Sequence, residues 1–231
     1  MLKIIKDIRI YKNDIENIDG NSHPHSCTEK SINIIIHRVV MKLRECNFSL
    51  GEFDHLYLNF TTCLPCGQIE PSRRSVDTYH SWYRYYDIGI EHNIYERIDQ
   101  NVDIILNGLR DTLVCYFSDN NTAQCINNCI ETALQEGANM KSLYKEKKGA
   151  KNIARIYLRY LDNGMYLPLL NVYDLEKNEV FRTELPQMKD LLALGEIQLS
   201  SKKVIIKPRR NSFTEKMKPI TYEFTSSFSQ K

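Results

Sequence analysis

Two regimes of hydrophobic patterning divide the chain. From residue 28 to residue 46 apolar side chains recur at helical spacing (Ile32, Ile35, Ile36, Val39, Val40, Leu43, Cys46), and Ser26-Cys-Thr-Glu29 ahead of them has the spacing of a capping box. The same period returns through Ile94, Ile98, Val102, Ile105, Leu106, Leu109, Leu113 and Tyr116, which predicts one long helix. A third helix is predicted after Asn120-Asn121, with Gly137 as its stop. Between the first and second helices, 55–62 alternates Leu56, Leu58 and Phe60 with Tyr57, Asn59 and Thr61, a half-buried strand with its second set facing outward. A partner strand, 78–90, carries Tyr79, Trp82, Tyr83, Tyr85 and Tyr86, and the two are read as a hairpin with a long loop. Trp82, Ile88 and Ile90 are placed in the core, and Arg84 calls for a carboxylate, Asp87 or Asp77. Residues 2–11 predict a further strand.

After residue 151 the period becomes that of strands. Asp162-Asn-Gly164 and Glu176-Lys-Asn178 are turn sequences between apolar runs, and 197–199, 204–207 and 220–224 read as further strands. Pro186 is placed at the start of a short helix reaching Leu194. The expected fold is α+β: helices packed on a small antiparallel sheet over 1–140, a linker or exposed connection at 141–151, and a β-rich half over 152–231, the two halves free to pack as one domain.

Composition narrows the class. Of 231 residues, 42% are hydrophobic and 26% charged, which excludes disordered and fibrous chains. Charge every two or three positions in 2–10 excludes a signal peptide there, and no apolar run has the length of a membrane span, so a cytoplasmic protein with no membrane partner is expected. Seven cysteines without an export signal are read as free thiols. Frequent Ile, Asn, Lys and Tyr fit AT-rich coding and a bacterial source. The net charge of +2 conceals a division: residues 1–140 hold 13 Lys+Arg against 19 Asp+Glu, and the remainder is basic.

Candidate chemistry is sparse. No resident cofactor is called for; the metal candidate is zinc, on His23, His25 and Cys27 with Cys63-Leu-Pro-Cys66, which together supply nitrogen and sulfur ligands. Cys125 and Cys129, four apart on an apolar helix face, read as core packing. His55, His80 and His92 lie near Cys63 and Cys66 in sequence, yet no phosphate loop, nucleophile elbow or metalloprotease motif is present, and the reading is of a protein that is not an enzyme. An uncharacterised metal-dependent enzyme stays as an alternative. Another is a nucleic-acid-associated protein using Lys202, Lys203, Lys207, Arg209 and Arg210. The leading reading is protein binding through Tyr57, Asn59, Thr61, Arg73, Arg74, Tyr83 and Tyr85, because Tyr and Arg dominate interface hot spots.

The segments Leu56-Tyr-Leu-Asn-Phe-Thr-Thr62, Gln68-Ile-Glu-Pro71 and Trp82-Tyr-Arg-Tyr-Tyr-Asp-Ile-Gly-Ile90 resemble stretches of predicted immunity proteins of bacterial polymorphic-toxin systems. The resemblance implies a cytoplasmic protein that binds a cognate toxin domain and blocks it without doing chemistry.

Overall fold

The structure, a computed structural model, describes residues 2–16, 25–26, 29–72 and 81–224. It is a mixed α/β protein that divides into two compact units, Met1–Gly137 and Ala138–Lys231.

The first unit is built on a five-stranded sheet. Strand β1 (Asp7–Lys12) pairs with a two-residue strand β2 (His25–Ser26), and helix α1 (Lys30–Glu45) then carries the chain to β3 (His55–Thr61), parallel to β1. This β1–α1–β3 passage is a parallel crossover, which needs a connection long enough for a helix. Next comes β4 (Ile69–Pro71), antiparallel to β5 (Tyr83–Gly89), and β5 in turn lies parallel to β3. The spatial order is β2-β1-β3-β5-β4. The expected antiparallel sheet is therefore a mixed one with a parallel centre, and the expected hairpin of β3 with β5 does not exist. The connection is far longer than a hairpin turn, and its own strand β4 takes the antiparallel place beside β5.

The long second helix is also divided. A short helix α2 (His92–Tyr95) and a single 3-10 turn (Ile98–Gln100) precede α3 (Val102–Phe117), because Asn101 accepts from the Ile104 N–H and starts the helix afresh. Helix α4 (Asn120–Glu136) ends at Gly137, whose φ of 51° suits glycine. α3 lies on one face of the sheet with Gly108 against Phe60 and Ile88, and α4 packs on both α1 and α3. Helix α1 starts at Lys30, so Glu29, not Ser26, is its N-cap, and it makes no side-chain capping bond.

The second unit is antiparallel throughout its described strands. β6 (Ser142–Lys148), β7 (Asn152–Tyr160), β8 (Tyr166–Asp174) and β9 (Glu179–Glu184) form a meander, and β10 (Glu196–Leu199), β11 (Lys203–Lys207) and β12 (Ile220–Glu223) form a smaller sheet. Both turn sequences sit where expected: Gly164 at φ 83° closes β7–β8, and Lys177 at φ 70° lies in the turn joining β8 to β9. The stretch 141–151 is not a linker. β6 fills most of it and pairs with β7 from Ser142 opposite Leu158 to Lys148 opposite Ile153, with a bulge between Leu143 and Lys145. The helix expected after Pro186 is absent; 185–194 runs as bends and turns, with Met188 exchanging main-chain hydrogen bonds with Tyr166.

Candidate functional site

Strand register distributes the side chains of the first unit between two faces. Ile8, Ile10, Leu56, Leu58, Phe60, Tyr86 and Ile88 share the face toward α3. Arg9, Tyr11, Tyr57, Asn59, Thr61, Tyr83, Tyr85 and Asp87 share the other. Because β1 and β5 flank β3 in parallel, Arg9, Tyr57 and Tyr85 stand in one row across three strands.

That row is the centre of an aromatic cluster. Tyr57 stacks on Tyr83 at 4.8 Å between centroids, with 16° between the planes, and meets Tyr85 edge-on at 5.1 Å. Tyr11 lies 5.5 Å from Tyr57 and 5.7 Å from Tyr85, and Trp82 is edge-on to Tyr83 at 6.2 Å. The Arg9 guanidinium sits 5.3 Å above the Tyr57 ring and donates to Asp7 at 2.8 Å. Burial works against the Arg9 charge, but Asp7, Tyr11 and Tyr57 together outweigh it and hold the pKa above its ordinary value. Burial pushes the Tyr57 phenol up.

The expected outward residues therefore differ in kind. Tyr57 is 6% exposed, Asn59 2% and Thr61 3%, so these three are not available to a partner. β3 is the central strand, and around Tyr57 the rings of Tyr11, Tyr83 and Tyr85 and the Arg9 guanidinium close the second face as well. Tyr83 and Tyr85 are half-buried, and Trp82, expected in the core, is exposed. Arg73 and Arg74 lie outside the described residues. Arg84 lies over the Phe53 ring at 5.4 Å and donates to the Ser81 and Tyr83 carbonyls. Asp87, expected to pair with it, instead accepts from Asn59 at 2.7 Å, since the two sit opposite each other on β3 and β5. Asp77 lies outside the described residues. Sequence reasoning missed Arg9 and Tyr11; the alternation Asp7, Arg9, Tyr11 is visible, but only the parallel register brings it beside Tyr57.

At the carboxyl ends of β3 and β5 the loop after Thr61 folds back. The Cys63 N–H donates to Thr61 Oγ1 and the Gly67 N–H to the Gly89 carbonyl. Gly89 is obligatory in this place, because a Cβ there would lie 2.0 Å from the Pro65 carbonyl oxygen. Within this loop the Cys63 thiol donates to the Asp14 carbonyl at 3.0 Å. His23 and Cys27 lie outside the described residues, and His25 lies in β2 opposite Lys12. Among the described residues the ligand atoms that converge belong elsewhere, to Cys46, Cys125 and Cys129. Cys63 and Cys66 are not in that group.

At the opposite end of β3, His55 Nδ1 is 2.6 Å from Asp54 Oδ1, and Lys6 Nζ is 2.6 Å from Asp54 Oδ2. Burial raises the Asp54 carboxyl, but Lys6 and His55 outweigh it and hold it below the usual carboxylate range. Cys63 lies beyond the far end of that strand, about 20 Å away at the rise of an extended chain, so it cannot serve as a nucleophile to His55.

In the second unit the basic residues separate. Lys202 and Lys203 border a groove of about 600 Å³ with Phe181 and Phe224, whereas Lys207, Arg209 and Arg210 border another of about 530 Å³. Arg209 donates to the Tyr144 hydroxyl at 2.6 Å, and Phe213 is 81% exposed. Among the described residues no helix is long and apolar enough to cross a membrane. No family model, curated protein or solved structure matches the chain.

Proposed function

We propose that the chain is a non-enzymatic, cytoplasmic protein-binding module, an immunity protein that neutralises a cognate bacterial toxin domain, and that it engages that toxin through the tyrosine face of its first sheet. The observation that carries this reading is the stack of Tyr83 on buried Tyr57, with Tyr11, Tyr85 and Arg9 around it and Trp82 beside Tyr83. Such an array offers large amphipathic rings already held in place by a sheet, so little side-chain entropy is lost when a partner covers them. The first unit is acidic, with 13 Lys+Arg against 19 Asp+Glu, which favours encounter with a basic partner such as a nuclease.

The test is calorimetric titration against the product of the adjacent gene. Tyr83→Ala with Tyr85→Ala, and separately Trp82→Ala, weaken binding at least about tenfold, as hot-spot truncations do, while far-ultraviolet dichroism stays native. Undiminished affinity in both variants overturns the assignment.

The groove of Lys207, Arg209 and Arg210 supports a second reading, nucleic-acid binding through the second unit, with exposed Phe213 as a stacking platform. Binding of single-stranded RNA or DNA that weakens steeply with salt and is lost in Arg210→Ala favours it.

A further inference from the structure

Three thiols meet where the end of α1 touches α4. Cys46 is the C-cap of α1, and Cys125 and Cys129 are four apart on α4, so both face the same neighbour. Their sulfurs all lie within 4.8 Å of one another, and Cys46 Sγ is 3.9 Å from Cys129 Sγ. The position of Cys46 is fixed by the chain reversal that follows it. The Asn47 N–H donates to the Arg44 carbonyl and the Phe48 N–H to the Leu43 carbonyl, with Asn47 at φ 56°, the bond pattern of a Schellman turn. Phe48 is buried, which anchors the turn from the far side.

We propose that Cys46, Cys125 and Cys129 form a three-thiolate site for a thiophilic d10 cation, Zn(II) or Cu(I). A metal–sulfur bond of about 2.3 Å places the sulfurs around one ion about 3.8–4.0 Å apart, so the Cys46–Cys129 separation already fits and only small rotamer adjustments are needed for Cys125. Soft thiolate ligands select these ions over Mg(II) or Ca(II). Coordination forms three metal–sulfur bonds and releases three thiol protons to solvent, and no electron is transferred. Cys46 is exposed, Cys125 half-buried and Cys129 buried, so one side of the ion faces solvent, where water completes the tetrahedron that zinc prefers. The site joins α1 to α4 and acts as a clasp between them, independently of the tyrosine face.

The full chain, reduced and metal-free, is titrated anaerobically with Zn(II) in competition with a chromophoric chelator, and in a second arm with Cu(I). One ion bound per chain in either arm, with a rise in melting temperature and loss of binding in both Cys46→Ser and Cys125→Ser, supports the site; these positions are not fully buried, and their own melting curves confirm folding. Cobalt(II) substitution then gives the thiolate-to-metal charge-transfer bands of a sulfur-rich site. Failure of both ions to bind at one per chain overturns the proposal. So does binding that persists in both serine variants, or that is lost instead in the double variant Cys63→Ser, Cys66→Ser.

Discussion

Asn59 Nδ2 donates to Asp87 Oδ1 at 2.7 Å across β3 and β5, in the buried centre of the first unit's sheet. Both residues are more than nine-tenths buried. Asp87→Ala leaves the Asn59 amide unpaired away from water and lowers stability by about 2 kcal/mol, measured by urea unfolding. Asp87→Asn keeps an acceptor in place and costs less. Equal losses for the two variants would mean that the carboxylate charge, not the hydrogen bond, is what matters.

Burial holds His37 neutral, its imidazole pushed down to about 4. The unfolded chain takes up that proton near pH 6.5. Between these values the unfolded state binds more protons, so stability is full above about pH 6.5 and falls as pH drops toward 4. The loss at pH 4 relative to neutrality is about 2–3 kcal/mol, and His37→Gln flattens that part of the stability profile. An unchanged slope in the variant overturns the assignment to His37, because Asp54, held below the usual carboxylate range by Lys6 and His55, loses its contribution only below this window.

Two glycines separate by what an added methyl group meets. In Gly89→Ala the new carbon collides with the main chain of the Cys63–Gly67 loop, which cannot move without giving up its bonds to β5, and the cost is about 3 kcal/mol. In Gly108→Ala it meets the Phe60 ring edge at 2.9 Å and Ile88 at 3.1 Å, side chains that can shift, and the gain in helix propensity offsets part of the strain. Thermal melts therefore rank Gly89→Ala well below Gly108→Ala.

Tyr57 and Tyr83 stack on each other but serve differently. Tyr57→Ala opens a cavity under the aromatic layer and destabilises the first unit by about 3–4 kcal/mol. Tyr83→Ala removes a half-buried ring and costs roughly half as much, and under the proposed function its larger effect is on affinity for the toxin. Comparable losses of stability from the two would make the whole cluster structural.

Much of this fold could be read from the sequence where the deciding interaction is local. Gly164 and Gly137 mark their turn and helix end because positive φ is a property of the residue itself. The alternation in β3 is equally plain, yet it predicts only one buried side, since periodicity records which positions differ and not what lies opposite. Tyr57 is enclosed by Arg9 and Tyr11 of β1 and by Tyr83 and Tyr85 of β5, and Asn59 is held by Asp87 of β5, strands distant in sequence. Parallel pairing was hidden for the same reason: the connection from β3 to β5 has turn-forming residues that suit a hairpin, and nothing in it declares that β4 will occupy the antiparallel place. Cys46 and Cys129 are 83 positions apart, and their meeting depends on how α1 and α4 pack, which neither helix's own pattern records.

The borders of the five-stranded sheet are very small. One is a two-residue strand and the other a three-residue strand ending in Pro71, which has no N–H to offer. Along these two strands a visiting chain finds few free amides and carbonyls on which to zip, and among the described residues the outer edge of β1 from Asp7 to Ile10 is left without a strand partner. Main-chain zipping accepts nearly any sequence, whereas rings and a guanidinium accept only a matching relief. If the proposed toxin binding holds, telling one toxin domain from its close cousins falls to these side chains, where a single exchange on either side is enough to change allegiance.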